Sequence, residues 1–186
     1  MNRLQFQKLK LEGLFLITRE DLGDERGFLS RFWCSHEMRT TGWLNEIAQI
    51  NFTFNKESGT VRGMHFQKRP YGEKKLISCL KGAIWDVAVD LRPDSPTYLK
   101  WHAEELTEKN KKAFLIPEGF AHGYQTLTDD VELLYCHSKP FNKDSEGGVN
   151  PTDPLLEIEW PSEITVISSR DSNHPLIDDN FNGIQL

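Results

Sequence analysis

The apolar segments of this chain are short, and that restricts it to folds built mainly from strands. Segments 14–17, 28–33, 47–54, 76–80, 84–91, 113–116, 131–137 and 164–168 each read as a strand. Glycines, prolines and polar residues separate them, among them Gly13, Gly27, Gly59, Gly82, Pro93, Pro117 and Gly119. Over residues 85–91, Trp85, Val87, Val89 and Leu91 share one face, and Asp86, Ala88 and Asp90 share the other. That period of two predicts a half-buried strand. Only residues 35–44 have a helical pattern, with Ser35 placed as the N-cap. Many short strands beside almost no helix predict an all-β sandwich or barrel. A dinucleotide-binding parallel sheet does not fit, because no GxGxxG lies between a strand and a helix.

A chain of 186 residues, 11% aromatic, has the material for one domain spanning 1–186 with a sizeable core. Cys34, Cys79 and Cys136 are odd in number and lack CxxC spacing. This points to a reducing, cytoplasmic compartment and away from a zinc knuckle. The first residues lack a signal-type apolar region, and no apolar run approaches the roughly 20 residues of a membrane span. The net charge is −6 with scattered Lys and Arg, a poor match to nucleic acid. A few inward cations can still bind a small anionic ligand.

Several stretches carry candidate chemistry. In Thr60-Val61-Arg62-Gly63-Met64-His65-Phe66-Gln67, strand alternation sends His65 and Gln67 to one face and Arg62 to the other. In Pro117-Glu118-Gly119-Phe120-Ala121-His122, a tight turn aims His122 into the next strand, as in one half of the cupin signature. A metal-binding cupin also carries HxH. Here the pair is His65-Phe66-Gln67, and an amide is a poor transition-metal ligand. Two inward imidazoles without a metal suggest acid–base chemistry. Asp171 follows a strand, where it either opens a turn or orients a histidine. Tyr135 alternates with apolar neighbours and is either core or functional. Of Lys74 and Lys75, one caps a turn and the other can face inward.

Together and in this order, these stretches resemble the dTDP-4-dehydrorhamnose 3,5-epimerase family of cupin-fold sugar-nucleotide epimerases. The resemblance runs from about Leu14 to Pro175. It also rests on Gly23-Asp24-Glu25-Arg26-Gly27-Phe28, Gln49-Ile50-Asn51, Gly82 to Arg92, Ser95-Pro96-Thr97 and Asp153-Pro154. It implies a double-stranded β-helix (jelly-roll) barrel with a few short helices and no cofactor. It implies a reaction as well: proton removal beside a C4 ketone, an enolate, and proton return to the opposite face. His65 matches the base, Asp171 its orienting partner, Tyr135 the acid and Lys75 the cation near the enolate oxygen. His122 matches a second inward histidine. Arg26 and Arg62 match diphosphate-binding arginines. Gln49 and Asn51 match substrate contacts, and Arg31, Glu146 and Arg170 complete the expected substrate-binding set. The resemblance further implies a homodimer with an exchanged strand. Such enzymes serve O-antigen, capsule and antibiotic sugars.

The chain departs from the family pattern at four places. Leu29 and Arg31 follow Phe28 where an aromatic and a glutamate are usual. Asn150-Pro151-Thr152 replaces a tryptophan, Phe141 replaces a second tyrosine, and Arg170 stands where a lysine is usual. The catalytic set is intact and the nucleotide-reading set is altered. Arg31 could donate to guanine or cytosine carbonyls, or lie on a solvent face with thymine retained. The alternatives are a single-position 3- or 5-epimerase on a CDP- or GDP-linked keto-sugar, a non-catalytic cupin, and a metal-dependent cupin.

Overall fold

The computed structural model describes residues 2–186. One sheet has the order β1-β2-β10-β7-β12-β5, with β1 Leu4–Lys8, β2 Phe15–Arg19, β5 Gln49–Asn55, β7 Lys75–Lys81, β10 Lys112–Ile116 and β12 Val131–His137. The other has the order β13-β6-β11-β8-β9, with β6 Thr60–Gln67, β8 Ala83–Asp90, β9 Trp101–Thr107, β11 Phe120–Thr126 and β13 Glu146–Gly148. A short strand β14, Val166–Ile167, runs parallel to β6. A separate hairpin pairs β3 Asp21–Asp24 with β4 Gly27–Ser30. The expected jelly-roll barrel is therefore present.

Three apolar layers bury the central strands of the two sheets. Between the sheets lie Leu16, Ile77, Phe114 and Leu133 from one and Ile84, Ala88, Leu106 and Phe120 from the other. The outer face of the first sheet packs Ile17, Leu76 and Leu115 against Met38 and Trp43. The outer face of the second packs Met64, Val87, Val89 and Leu91 against Val149, Leu156 and Ile184. So β8 is not half-buried. Its two faces separate as expected, but a C-terminal segment covers the apolar one, and Asp86 and Asp90 are fully enclosed on the other. Asp90 is satisfied by Arg92, Ser95 and Thr97 in the following turn.

Three element boundaries differ from the sequence reading. The helix over 35–44 stops early: α1 is Ser35–Met38, followed by a 3-10 turn at Arg39–Thr41. Thr40 and Thr41 donate their hydroxyls back to the carbonyls of Glu37 and Met38, and Gly42 closes the turn at φ +76°. Cys34, not Ser35, is the N-cap, and it makes no side-chain capping bond. Strand 164–168 shrinks to β14, because the Ser168 hydroxyl accepts the Asp171 N–H and opens α2, Ser169–Ser172. Strand 28–33 ends at Ser30, beyond which Arg31 turns to pair with the buried Glu37.

The local feature that shapes the site is a bulge in β6. His65 pairs with His122 and Arg62 with Tyr124, so two residues, Gly63 and Met64, oppose Gly123 alone. The extra residue reverses the alternation. Arg62 consequently faces the same cavity as His65 and not the opposite side. The two backbones approach too closely for side chains. A Cβ on Gly63, at φ +117°, would lie 2.6 Å from Gly123 Cα and 2.7 Å from the His122 carbonyl oxygen. Gly63→Ala is expected to destabilise the fold by about 2 kcal/mol or more, measured by urea unfolding. A change within ~0.5 kcal/mol would show that the bulge tolerates a side chain.

Candidate active site

A cavity of about 250 Å³ opens on the inner face of the barrel. β6 supplies Arg62, His65 and Gln67, β7 supplies Lys75, β11 supplies His122 and Tyr124, and β12 supplies Tyr135 and His137. Each pair within a strand is separated by an even number of positions, or by the bulge, as a shared face requires.

His65 Nε2 lies 2.9 Å from Asp171 Oδ1, joining β6 to α2. Asp171 is almost fully enclosed, and its second oxygen accepts the Gly63 N–H at 3.0 Å. Burial alone would raise its pKa. The bonds from His65, the Gly63 N–H and Arg170 outweigh that and hold it well below the usual carboxylate range. The ionised carboxylate accepts Nε2–H, which fixes the tautomer and leaves the lone pair on Nδ1. Arg170 Nη2 is 2.8 Å from the same Nε2, and its Nε is 3.2 Å from Asp171 Oδ1. Because Nε2 gives its hydrogen to Asp171, the guanidinium acts there on the carboxylate charge and not as a donor to the ring.

Tyr135 lies in the cavity wall, with the His122 ring at 5.9 Å edge-on and the His137 ring stacked at 5.9 Å and 10°. Burial, then the neighbouring Tyr124 and Asp86, push its hydroxyl well above the ordinary tyrosine value. It is held as a phenol, able to give a proton. His122 Nε2 is 2.7 Å from Asp86 Oδ1. Burial pushes this imidazole down, so it is neutral and donates to Asp86. The Lys75 ammonium donates to the His65 carbonyl oxygen at 3.2 Å and lies 3.4 Å from Glu73. Lys74 points away and bonds the Gly42 carbonyl, resolving which lysine is inward.

Of the other expected residues, Arg62, Asn51, Glu146 and Arg170 line the cavity. Asn55 Oδ1 accepts from Arg62 Nε at 2.7 Å, and Glu146 pairs with Arg170 at 3.0 Å. Gln49 stands beside the cavity, bonded to Asn51. Arg26 and Arg31 are not brought there within one chain. Arg26 sits on the exposed β3–β4 hairpin, paired with Asp24. Arg31 is tied to Glu37, whose carboxylate also accepts the Arg3 and Leu4 N–H groups. Burial would raise Glu37, but those bonds bring it to about 2. Arg31 thus commits Nη1 to an internal structural partner, while its side chain stays 38% exposed.

Sequence reading missed Asp86, Glu73 and His137. Their signal was parity: His137 is two residues from Tyr135, Glu73 two from Lys75, and Asp86 lies on the inner face of β8. Donor atoms of His65, Asp171 and His174 converge within 4.8 Å. They suit a cation poorly, because Asp171 is already bonded three ways and the Arg170 guanidinium occupies their approach.

A jelly-roll barrel enclosing a carboxylate-held imidazole, a protonated tyrosine and an inward lysine defines a cupin-fold epimerase, an isomerase-class enzyme. Residues 8–179 match the family described as dTDP-4-dehydrorhamnose 3,5-epimerase, and the chain belongs to that family. It is 37% identical to the dTDP-4-dehydrorhamnose 3,5-epimerase of Sinorhizobium fredii, over 94% of this chain and 90% of that one. It is 35% identical to the dTDP-4-dehydrorhamnose 3-epimerase of Streptomyces niveus, over 94% and 84%. The dTDP-6-deoxy-D-glucose-3,5-epimerase of Legionella pneumophila, solved with dTDP-4-keto-L-rhamnose, superimposes with a TM-score of 0.91 at 31% identity, covering 98% of this chain and 99% of that one.

The Asp171 interactions have a pH signature. Above about pH 5 the carboxylate is ionised both folded and unfolded, and its stabilisation is present in full. As the pH falls, the unfolded chain takes up the proton first, so folding stability declines through the acid range. The D171N variant is expected to lose stability at neutral pH and to show a flatter decline below pH 4, by denaturant unfolding at several pH values. Parallel curves for the two proteins would contradict the assignment.

Proposed function

We propose that this protein epimerises a nucleoside-diphosphate 4-keto-6-deoxysugar, with a dTDP-linked 4-keto-6-deoxyglucose as the first choice of substrate. The observation that carries this is the His65–Asp171 pair facing the same cavity as a buried, protonated Tyr135. The C4 ketone acidifies the hydrogens on C3 and C5. His65 Nδ1 removes one, and the electron pair moves to the C4 oxygen as an enolate. The Lys75 ammonium stabilises that oxygen, where fixed charge acts most strongly. Tyr135 gives its proton to the opposite face of the same carbon. The imidazolium releases its proton to solvent and the phenol is reprotonated, so no net redox change occurs. Arg62 faces the diphosphate, with Gln49, Asn51, Glu146 and Arg170 contacting the remaining substrate groups. His122 supports the sugar from the far wall.

The relatives bear names of both 3,5- and 3-epimerases, so either positional outcome belongs to this chemistry.

We further propose a cytoplasmic homodimer of single-domain chains. The three cysteines are free thiols, in keeping with a reducing compartment. Among the described residues, no helix is long and apolar enough to cross a membrane. β5 is an edge strand with Ile50, Phe52 and Phe54 exposed on its outer face, and the β3–β4 hairpin exposes Phe28 and Leu29. Such an unpaired apolar edge calls for a partner. A second copy would cover it and carry Arg26 to the neighbouring cavity.

Incubation with the dTDP-keto-sugar in D₂O, read by NMR, is expected to place deuterium at C3, C5 or both. His65→Ala should lower this exchange by about 10³-fold. Tyr135→Phe should keep exchange while blocking inversion. Normal product from either variant would overturn its role. Light scattering is expected to give twice the monomer mass, and Phe52→Glu to shift it toward the monomer; a monomeric parent protein would refute the dimer.

A further inference from the structure

Among the buried titratable groups that the mechanism leaves unassigned, Glu73 and His137 are joined by a line of hydrogen bonds to Asn51, Lys75 and the His65 backbone. Phe141 N–H donates to Gln49 Oε1 at 2.9 Å, and Gln49 Nε2 donates to Asn51 Oδ1 at 3.0 Å. Asn51 Nδ2 then meets His137 Nε2 at 3.4 Å, and His137 Nδ1 meets Glu73 Oε2 at 2.8 Å. Glu73 Oε1 faces the Lys75 ammonium at 3.4 Å, and Lys75 bonds the carbonyl oxygen of His65.

Donor and acceptor roles along this line admit one consistent assignment. Asn51 Nδ2 can only donate, so His137 Nε2 accepts. Nδ1 therefore carries the hydrogen and gives it to the Glu73 carboxylate. Glu73 is buried, which would raise it, yet Lys75 and His137 hold it ionised. A single carboxylate is thus shared between the ammonium that faces the enolate and the imidazole on which Tyr135 stacks.

We propose that Glu73 and His137 are positioning residues: Glu73 fixes Lys75 for enolate stabilisation, and His137 fixes the ring plane of Tyr135 for proton return. This rests on the epimerase reading above. It assigns the two residues to different halves of the reaction. Glu73 acts when the enolate forms, and His137 acts when the second face is protonated.

Two near-isosteric substitutions separate these halves. In Glu73→Gln, one donor meets an amide nitrogen in place of an oxygen, so the bridge breaks at one end. Deuterium exchange and product formation are expected to fall together by about 10-fold, with KM within about 3-fold. In His137→Phe, both hydrogen bonds that hold the ring are lost, so the ring stacked on Tyr135 is no longer fixed in position. Exchange is expected to persist while inverted product falls about 10-fold relative to it. Thermal unfolding of each variant is measured alongside. Parent-like kinetics in either variant, or equal losses of both readouts in His137→Phe, would overturn the proposal. Should a variant fail to fold, ¹⁵N NMR of the parent protein decides. A neutral His137 with hydrogen on Nδ1 supports the chain of bonds, and hydrogen on Nε2 overturns it. Absence of deuterium exchange in the parent protein would instead refute the epimerase reading itself.

Discussion

The His65–Asp171 bond spans residues 106 positions apart, and the architecture of the site follows from it. Asp171 does more than face an imidazole. Its other oxygen holds the Gly63 N–H inside the bulge, so one carboxylate fixes both the ring and the backbone that presents it. Ser168 caps the short helix that carries Asp171, and β14 ties the approach to that helix onto β6. A carboxylate so enclosed is unfavourable unless each lone pair is satisfied. Here the surrounding donors satisfy it, and its charge remains available to stabilise an imidazolium formed beside it.

The same device recurs around the cavity. His122 leans on Asp86 and His137 on Glu73, each with one ring nitrogen committed to a carboxylate. The three pairs differ in what surrounds them. Asp86 and His122 are sealed from solvent, and Asp86 Oδ2 has no partner, so burial dominates and this imidazole stays neutral. Asp171 is surrounded by donors, so hydrogen bonding dominates and the carboxylate stays ionised. Glu73 is shared with an ammonium. Three chemically similar pairs are thereby set in three different electrostatic environments by local dielectric and donor count.

Much of the fold was legible because apolar segments bounded by glycine or proline are a local signal. Strands β2, β5, β7, β8, β10 and β12 lie where the pattern put them. β9 was not, because Trp-His-Ala-Glu-Glu-Leu-Thr carries little alternation and is held by pairing with β8. The helix over 35–44 was too long, since competition from Thr40 and Thr41 is a side-chain effect that periodicity does not contain. At the site, His65, Tyr135, Lys75, His122 and Asp171 were legible through motif order. Arg62 was assigned to the wrong face because a bulge reverses parity. The pairing of Arg31 with Glu37 was in neither reading of Arg31, because the two meet only through the fold. Glu73 and His137 were visible as residues and invisible as a pair, for they lie 64 positions apart.

The central claim is that a carboxylate-held imidazole and a phenol work from opposite faces of one sugar ring. A crystal structure of the protein with an unreactive dTDP-sugar tests it most directly. The pyranose is expected in the barrel cavity, with His65 Nδ1 near the hydrogen-bearing side of C3 or C5 and the Tyr135 hydroxyl across the ring from it. A sugar bound with both groups on the same face, or with His65 Nε2 released from Asp171 and turned to the ring, would contradict it.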